Sequence, residues 1–223
     1  GQLGIGEDNP NTISADRRIS YYYNPNTMPY GQVDSDYWVH PVIALNPIPV
    51  ELPQGRTATH ISASWRHTCA ILDNGSAMCW GYGFNGELGI GEANRKYVPE
   101  YVSLPAGGKA AAISTSETFT CAILENRSLY CWGSIPGDYE PDGRHNTPYP
   151  VIIPLPTSQG VVAVATGAHH VCVILEDRSV MCWGNNALGQ LGDGTNCEFM
   201  DSSGGDAGCN YWGDQQNPTV VSL

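Results

Sequence analysis

Short apolar stretches separated by turn residues recur along this chain. Ile61-Ser62-Ala63-Ser64 and Thr68-Cys69-Ala70-Ile71-Leu72 alternate or run apolar over strand length, Asp73-Asn74-Gly75-Ser76 has turn chemistry, and Ala77-Met78-Cys79-Trp80 returns. This pattern predicts a hairpin preceded by an inner strand. Further on, Pro99-Glu100-Tyr101-Val102-Ser103-Leu104 reads as an edge strand. Val102 and Leu104 share one face, and proline is tolerated where no ladder donor is required. The same spacing of proline and apolar residues recurs at Pro47/Val50/Leu52, Pro148/Val151/Ile153 and Pro218/Val221/Leu223. No window sustains a 3.6-residue period. Each unit thus carries about four strands.

The unit repeats with its cysteines in phase. Cys69 is followed by Cys79-Trp80-Gly81, Cys121 by Cys131-Trp132-Gly133, and Cys172 by Cys182-Trp183-Gly184, the first cysteines lying 52 and 51 residues apart. A period of this size means one supersecondary unit stacked on copies of itself. The boundaries predicted are a half unit over 1–53 and full units over 54–105, 106–156 and 157–223. Within a hairpin the two cysteines are symmetric about Asn74. A three-residue loop would place them opposite each other, about 4.5 Å apart in a non-hydrogen-bonded pair and within disulfide reach. A two-residue loop would offset them by one and require a bulge.

Eight cysteines are an even number. Six fall in the three hairpins and two, Cys197 and Cys209, lie in one insertion, which reads as four local disulfides; buried free thiols are the alternative. A closed zinc site would want cysteines two to four residues apart, and the chain has none. Oxidised pairs would place the protein in an extracellular, periplasmic or cell-surface compartment.

The units resemble the RCC1-like repeats. The marks are His67 and His170 two residues before cysteine, Trp80, Trp132 and Trp183 with Gly81, Gly133 and Gly184, and Gly189-Gln190-Leu191-Gly192-Asp193-Gly194, with another copy at Gly1-Gln2-Leu3-Gly4-Ile5-Gly6. The resemblance implies an all-β fold, a β-propeller of which about three and a half blades of a seven-bladed ring are present. The remaining blades are expected from the same longer chain or from a second copy. Phe119 replaces the histidine in the middle unit, Ser64 and Ser116 stand where Gly167 keeps the family glycine, and Ser134 to Gly143 lacks Gly-Gln-Leu-Gly. A remodelled loop is expected there. A residue needed once per blade is structural, so His67, His170 and the three tryptophans are read as blade-building groups.

Composition narrows the partners. The 223 residues carry 10 basic and 22 acidic side chains, a formal charge of −12, which disfavours a phosphate backbone and so nucleic acid. The longest apolar stretch, Val161 to Ala165, is far short of the roughly 20 residues of a spanning helix, so no membrane insertion is expected. Two long insertions interrupt the repeat. One holds Tyr21, Tyr22, Tyr23, Tyr30, Tyr37 and Trp38; the other, 195–216, holds Cys197, Cys209 and Trp212. Aromatic loops of this kind make binding surfaces, or else fold back over a blade edge. The acids Asp193, Glu198, Asp201, Asp206 and Asp214 lack the spacing of a calcium loop and read as scattered surface charge.

Asn74 and Asn126 each begin a glycosylation sequon at a hairpin tip, where a tight turn wants asparagine in any case. His40, His60, His145 and His169 have no recognisable catalytic partners, and no nucleophile elbow, phosphate loop or zinc-protease motif occurs. No cofactor or metal is expected. The reading is a secreted or cell-surface, non-catalytic module that binds protein or glycan. The alternatives are a building block of an extracellular assembly, a guanine-nucleotide exchange-type regulator, and a propeller-borne hydrolase or lyase.

Overall fold

A computed structural model describes residues 47–136, 146–194 and 214–221. Tyr21, Tyr22, Tyr23, Tyr30, Tyr37, Trp38, Cys197, Cys209 and Trp212 lie outside the described residues, as do His40, His145, Glu198, Asp201 and Asp206. Twelve strands form three four-stranded antiparallel sheets among the described residues. In the first, β1 (Ala58–Ala63), β2 (His67–Leu72), β3 (Ala77–Gly81) and β4 (Lys96–Tyr101) lie side by side in chain order. The second repeats this order with β5 (Ala110–Thr115), β6 (Phe119–Leu124), β7 (Leu129–Gly133) and β8 (Thr147–Ile152). The third does so with β9 (Val161–Thr166), β10 (His170–Leu175), β11 (Val180–Asn185) and β12 (Asp214–Val220). Each sheet is one blade.

The hairpin turn sets the register. Leu72 N–H donates to Ser76 O at 2.8 Å and Gly75 N–H to Leu72 O at 2.9 Å, closing a three-residue loop with Gly75 at φ 82°. Cys69 therefore faces Cys79, with Cα atoms 4.1 Å apart and the sulfurs bonded. The same registry bonds Cys121 to Cys131 and Cys172 to Cys182. Arg127 and Arg178 take the left-handed position of Gly75, at φ 70° and 72°. A local side-chain bond holds these turns. Asn74 Oδ1 accepts from Ser76 N–H at 3.0 Å, and Asn126 Oδ1 accepts from both Ser128 N–H and Ser128 Oγ. Asp177 does the same with Ser179, whose hydroxyl, followed by its N–H, holds the Asp177 carboxyl below its ordinary pKa. The tip position needs an Asn or Asp oxygen for the turn itself.

The edge strand differs from its sequence reading. β4 begins at Lys96 and ends at Tyr101, so Val102 and Leu104 follow it rather than belong to it. Val102 N–H still donates to Ala77 O at 2.9 Å, and at the other end a register shift between Cys79 and Gly81, repeated at Cys131/Gly133 and Cys182/Gly184, carries the pairing back to Lys96. At Gly133, φ is 96° and a Cβ would lie 2.5 Å from Thr118 O, so only glycine allows the bulge.

The cores lie between blades. Alternation along β6 and β7 sends Ala122, Leu124 and Trp132 against Cys69, Ile71, Ala77, Cys79 and Leu88 of the first blade. It sends Cys121, Ile123, Leu129 and Cys131 against Val171, Val173, Leu175 and Trp183 of the third. Two of the three disulfides, Cys69–Cys79 and Cys121–Cys131, thus sit inside a blade-to-blade face with all four cysteines 0% exposed, whereas Cys172 of the third is half-buried. Polar bonds fix the stacking register. Ser62 Oγ meets Thr115 Oγ1 at 2.9 Å, and Ser114 Oγ meets Thr166 Oγ1 at 2.9 Å, one blade on. At the opposite end of the blades, Ala110 N–H donates to Gly75 O and Val161 N–H to Arg127 O.

Candidate interaction surface

The β1–β2 connection (64–66) and the β3–β4 connection (82–95) leave the first blade at the same end, because two antiparallel hops return the chain there. Beneath them lies a buried polar relay. Thr120 Oγ1 donates to the Glu87 carbonyl oxygen at 2.9 Å, so it accepts from His67 Nε2–H at 2.7 Å. His67 Nδ1 is then the acceptor for Ser64 Oγ at 2.9 Å. Trp132 Nε1–H donates to the same Glu87 carbonyl at 2.9 Å, tying the second blade to the first blade's loop. His67 is fully buried, which pushes its pKa down to about 4. It is a neutral strut. Ser64, in the glycine position, supplies its acceptor bond. In the third blade, a Cβ on Gly167 would lie 2.1 Å from the ring of His170, which packs directly on that backbone.

Glu87 stands where the third unit has Gln190. Gln190 Oε1 accepts from Leu188 N–H at 2.9 Å, and Glu87 Oε2 accepts from Asn85 N–H at 2.8 Å in the equivalent bond. Burial raises the Glu87 pKa to about 7 against the opposing pull of its hydrogen bonds and of Arg66. Its stabilising contribution is complete below the unfolded value of 4.5 and is lost as pH rises through 7. His67 has the opposite sign: its contribution is complete above 6.5 and is lost as pH falls toward 4. The two slopes oppose each other between pH 4.5 and 6.5. Glu87→Gln is expected to unmask a stability that rises with pH over that window and to stabilise the fold by roughly 2–3 kcal/mol above pH 7. Urea unfolding at a series of pH values checks this. An unchanged pH profile in the variant would contradict it.

On the outside of this relay, rings and guanidinium groups interleave. Arg66 Cζ lies 4.2 Å from the Trp65 ring centroid and 5.2 Å from that of Tyr82. Tyr82 meets Phe84 edge to face at 5.2 Å, and Arg95 Cζ lies 5.3 Å from the Phe84 ring. Trp65 is 68% exposed and Phe84 44%. Beside Trp65 an open depression of about 410 Å³ runs across all three blades, floored by Ser64, Ser116, Thr166 and Gly167. Glu117 and Ala168 also line it.

None of this cluster was singled out by the sequence reading. A tryptophan next to arginine, where the other units have Glu117-Thr118 and Ala168-His169, was the available signal. The tryptophans that were singled out, Trp80, Trp132 and Trp183, are buried blade residues. Asn74 and Asn126 are exposed at the opposite end of the blades. Among the described residues no three His, Cys, Asp or Glu side chains converge as metal ligands; Asp193 accepts from Asn186 Nδ2 at 3.3 Å.

Profiles of the regulator of chromosome condensation (RCC1) repeat match residues 58–87, 161–190 and 74–123. The chain is built of RCC1 repeats. It is 31% identical over 156 residues to the human E3 ubiquitin-protein ligase HERC2, covering 68% of this chain and 3% of that protein. It is 28% identical over 141 residues to the ultraviolet-B receptor UVR8 of Arabidopsis thaliana, covering 63% of this chain and 32% of the receptor. Human WBSCR16 shares the fold, with TM-score 0.57 and 18% identity over 74% of this chain and 37% of that one. The chain therefore spans about a third or less of the length of these relatives. In RCC1-repeat terms, each sheet is one propeller blade; the matches at 58–87 and 161–190 each lie within one blade, and the match at 74–123 runs from the first blade into the second.

Proposed function

We propose that this chain is part of an oxidised β-propeller in an extracellular, periplasmic or cell-surface compartment. It binds a protein through the blade end that carries Trp65, Arg66, Tyr82 and Phe84, without chemistry of its own. RCC1-repeat propellers are protein-interaction modules, and the exposed aromatic and guanidinium cluster is the observation that carries the reading here. Large rings left in water are what recognition surfaces use as anchors. The compartment rests on three disulfides at one repeat position. In sequence, the Tyr-rich insertion and the 195–216 insertion interrupt the same connection that, in the first blade, forms residues 82–95 of this end. The titratable groups below the surface, His67 and Glu87, are hydrogen-bonded within the fold.

The test is affinity capture on immobilised chain from the secreted and surface proteins of the source organism. The expected result is a specifically retained protein whose retention drops by about ten-fold in Trp65→Ser/Phe84→Ser, with the melting temperature unchanged because both rings are exposed. Equal retention by the variant, or none by either, would contradict the proposal.

A further inference from the structure

We infer that the partner presents an acidic segment, with carboxylates that dock on the edges of the Arg66 and Arg95 guanidinium groups. This rests on the binding reading above and names the chemistry of the partner. A guanidinium stacked between rings uses its two faces and leaves its in-plane N–H donors directed outward. Arg66 Cζ lies over the Trp65 ring at 4.2 Å and the Tyr82 ring at 5.2 Å, and Arg95 Cζ lies over Phe84 at 5.3 Å with one of its donors, Nη1, reaching Tyr97 Oη at 3.5 Å.

Neither group forms an ion pair among the described residues. The carboxylates within salt-bridge distance of a cation serve Arg56, Lys96 and Arg127 instead. Arg66 acts on buried Glu87 only at a distance. In a chain with 22 acids and 10 bases, two stacked and unpaired cations on one blade end are a local exception to the overall charge. Their fork geometry matches a carboxylate bidentately.

The occupant is a protein segment rather than a long polyanion, since a net charge of −12 repels the latter beyond the first contacts. A neutral sugar stacked on Trp65 fits less well, because Arg66 already covers one face of that ring.

The experiment measures fluorescence anisotropy of a labelled Gly-Ser-Asp-Glu-Asp-Ser-Gly peptide and of its Asn-Gln-Asn analogue with the full chain, at about 150 mM salt. The acidic peptide is expected to bind at least about ten-fold more tightly than the amide analogue. Arg66→Gln and Arg95→Gln should each weaken it by about ten-fold, and Arg66→Lys by several-fold because lysine keeps the charge but loses the planar fork. Arg178→Gln, at an exposed hairpin tip, should leave binding unchanged. Equal affinity for the two peptides, or insensitivity to Arg66→Gln and Arg95→Gln, overturns the inference. So does displacement by inorganic phosphate at concentrations where acetate has no effect, which would assign the site to phosphate. If protein capture remains sensitive to Trp65→Ser/Phe84→Ser while the acidic peptide fails, the surface stands and only the acidic partner is lost.

Discussion

Trp132→Ala is expected to destabilise the fold by about 4 kcal/mol, the range for deleting a fully buried large aromatic ring. Trp132 is 0% exposed and packs with Leu88 and Ala110 between the first two blades. A Cβ on Gly89 would come within 2.6 Å of its ring nitrogen, so the loop of one blade closes directly on the indole of the next. A pair of milder substitutions separates the hydrogen bond from the ring. Trp132 Nε1 donates to Glu87 O, whereas Trp183 Nε1, equally buried, has no partner among the described residues. The reason lies one blade back. Pro136 packs on Gly184 much as Glu87 packs on Gly133, and the middle unit lacks the Gly-Gln-Leu-Gly sequence that offers the carbonyl. Trp132→Phe should therefore cost about 1 kcal/mol more than Trp183→Phe, since only the first breaks a hydrogen bond. Equal costs in denaturant unfolding would contradict the assignment of Glu87 O as an interblade acceptor.

Cys121→Ser/Cys131→Ser is expected to cost about 3 kcal/mol by the loop-closure argument for a short crosslinked hairpin. Both cysteines are 0% exposed and face the third blade's core. Two hydroxyls buried there add a desolvation cost. Stability of this double variant in chemical denaturation, compared with the parent under oxidising conditions, checks the figure. A loss below about 1 kcal/mol would show that the blade stacking alone fixes this hairpin.

The repeat was legible because it is written in local text. Cysteine spacing, the turn residues and the strand alternation recur in phase, and each acts within a dozen residues of itself. The opposed cysteines follow from the three-residue turn, which needs only Leu72, Gly75 and Ser76. Where the reading slipped, a neighbour intervened. The edge strand starts earlier than the alternation suggested, because the bulge at Gly81 carries its pairing back to Lys96. The identity of Glu87 as a buried carboxyl could not be read, since the third unit's Gln190 is half-buried and the difference comes from the second blade closing over the loop. Arg66 over Trp65 and Tyr82 joins two connections 16 residues apart in the chain, and no periodicity announces it. The blade end is thus a tertiary product, whereas the blade is a local one.

The measurement that tests the account most directly is the intact mass of the native polypeptide after thiol alkylation, with and without prior reduction. The account expects Cys69, Cys79, Cys121, Cys131, Cys172 and Cys182 to take up the reagent only after reduction, since all six are paired within their own hairpins. Six cysteines alkylated under denaturing conditions without reductant would contradict it, and would remove the ground for an oxidising compartment.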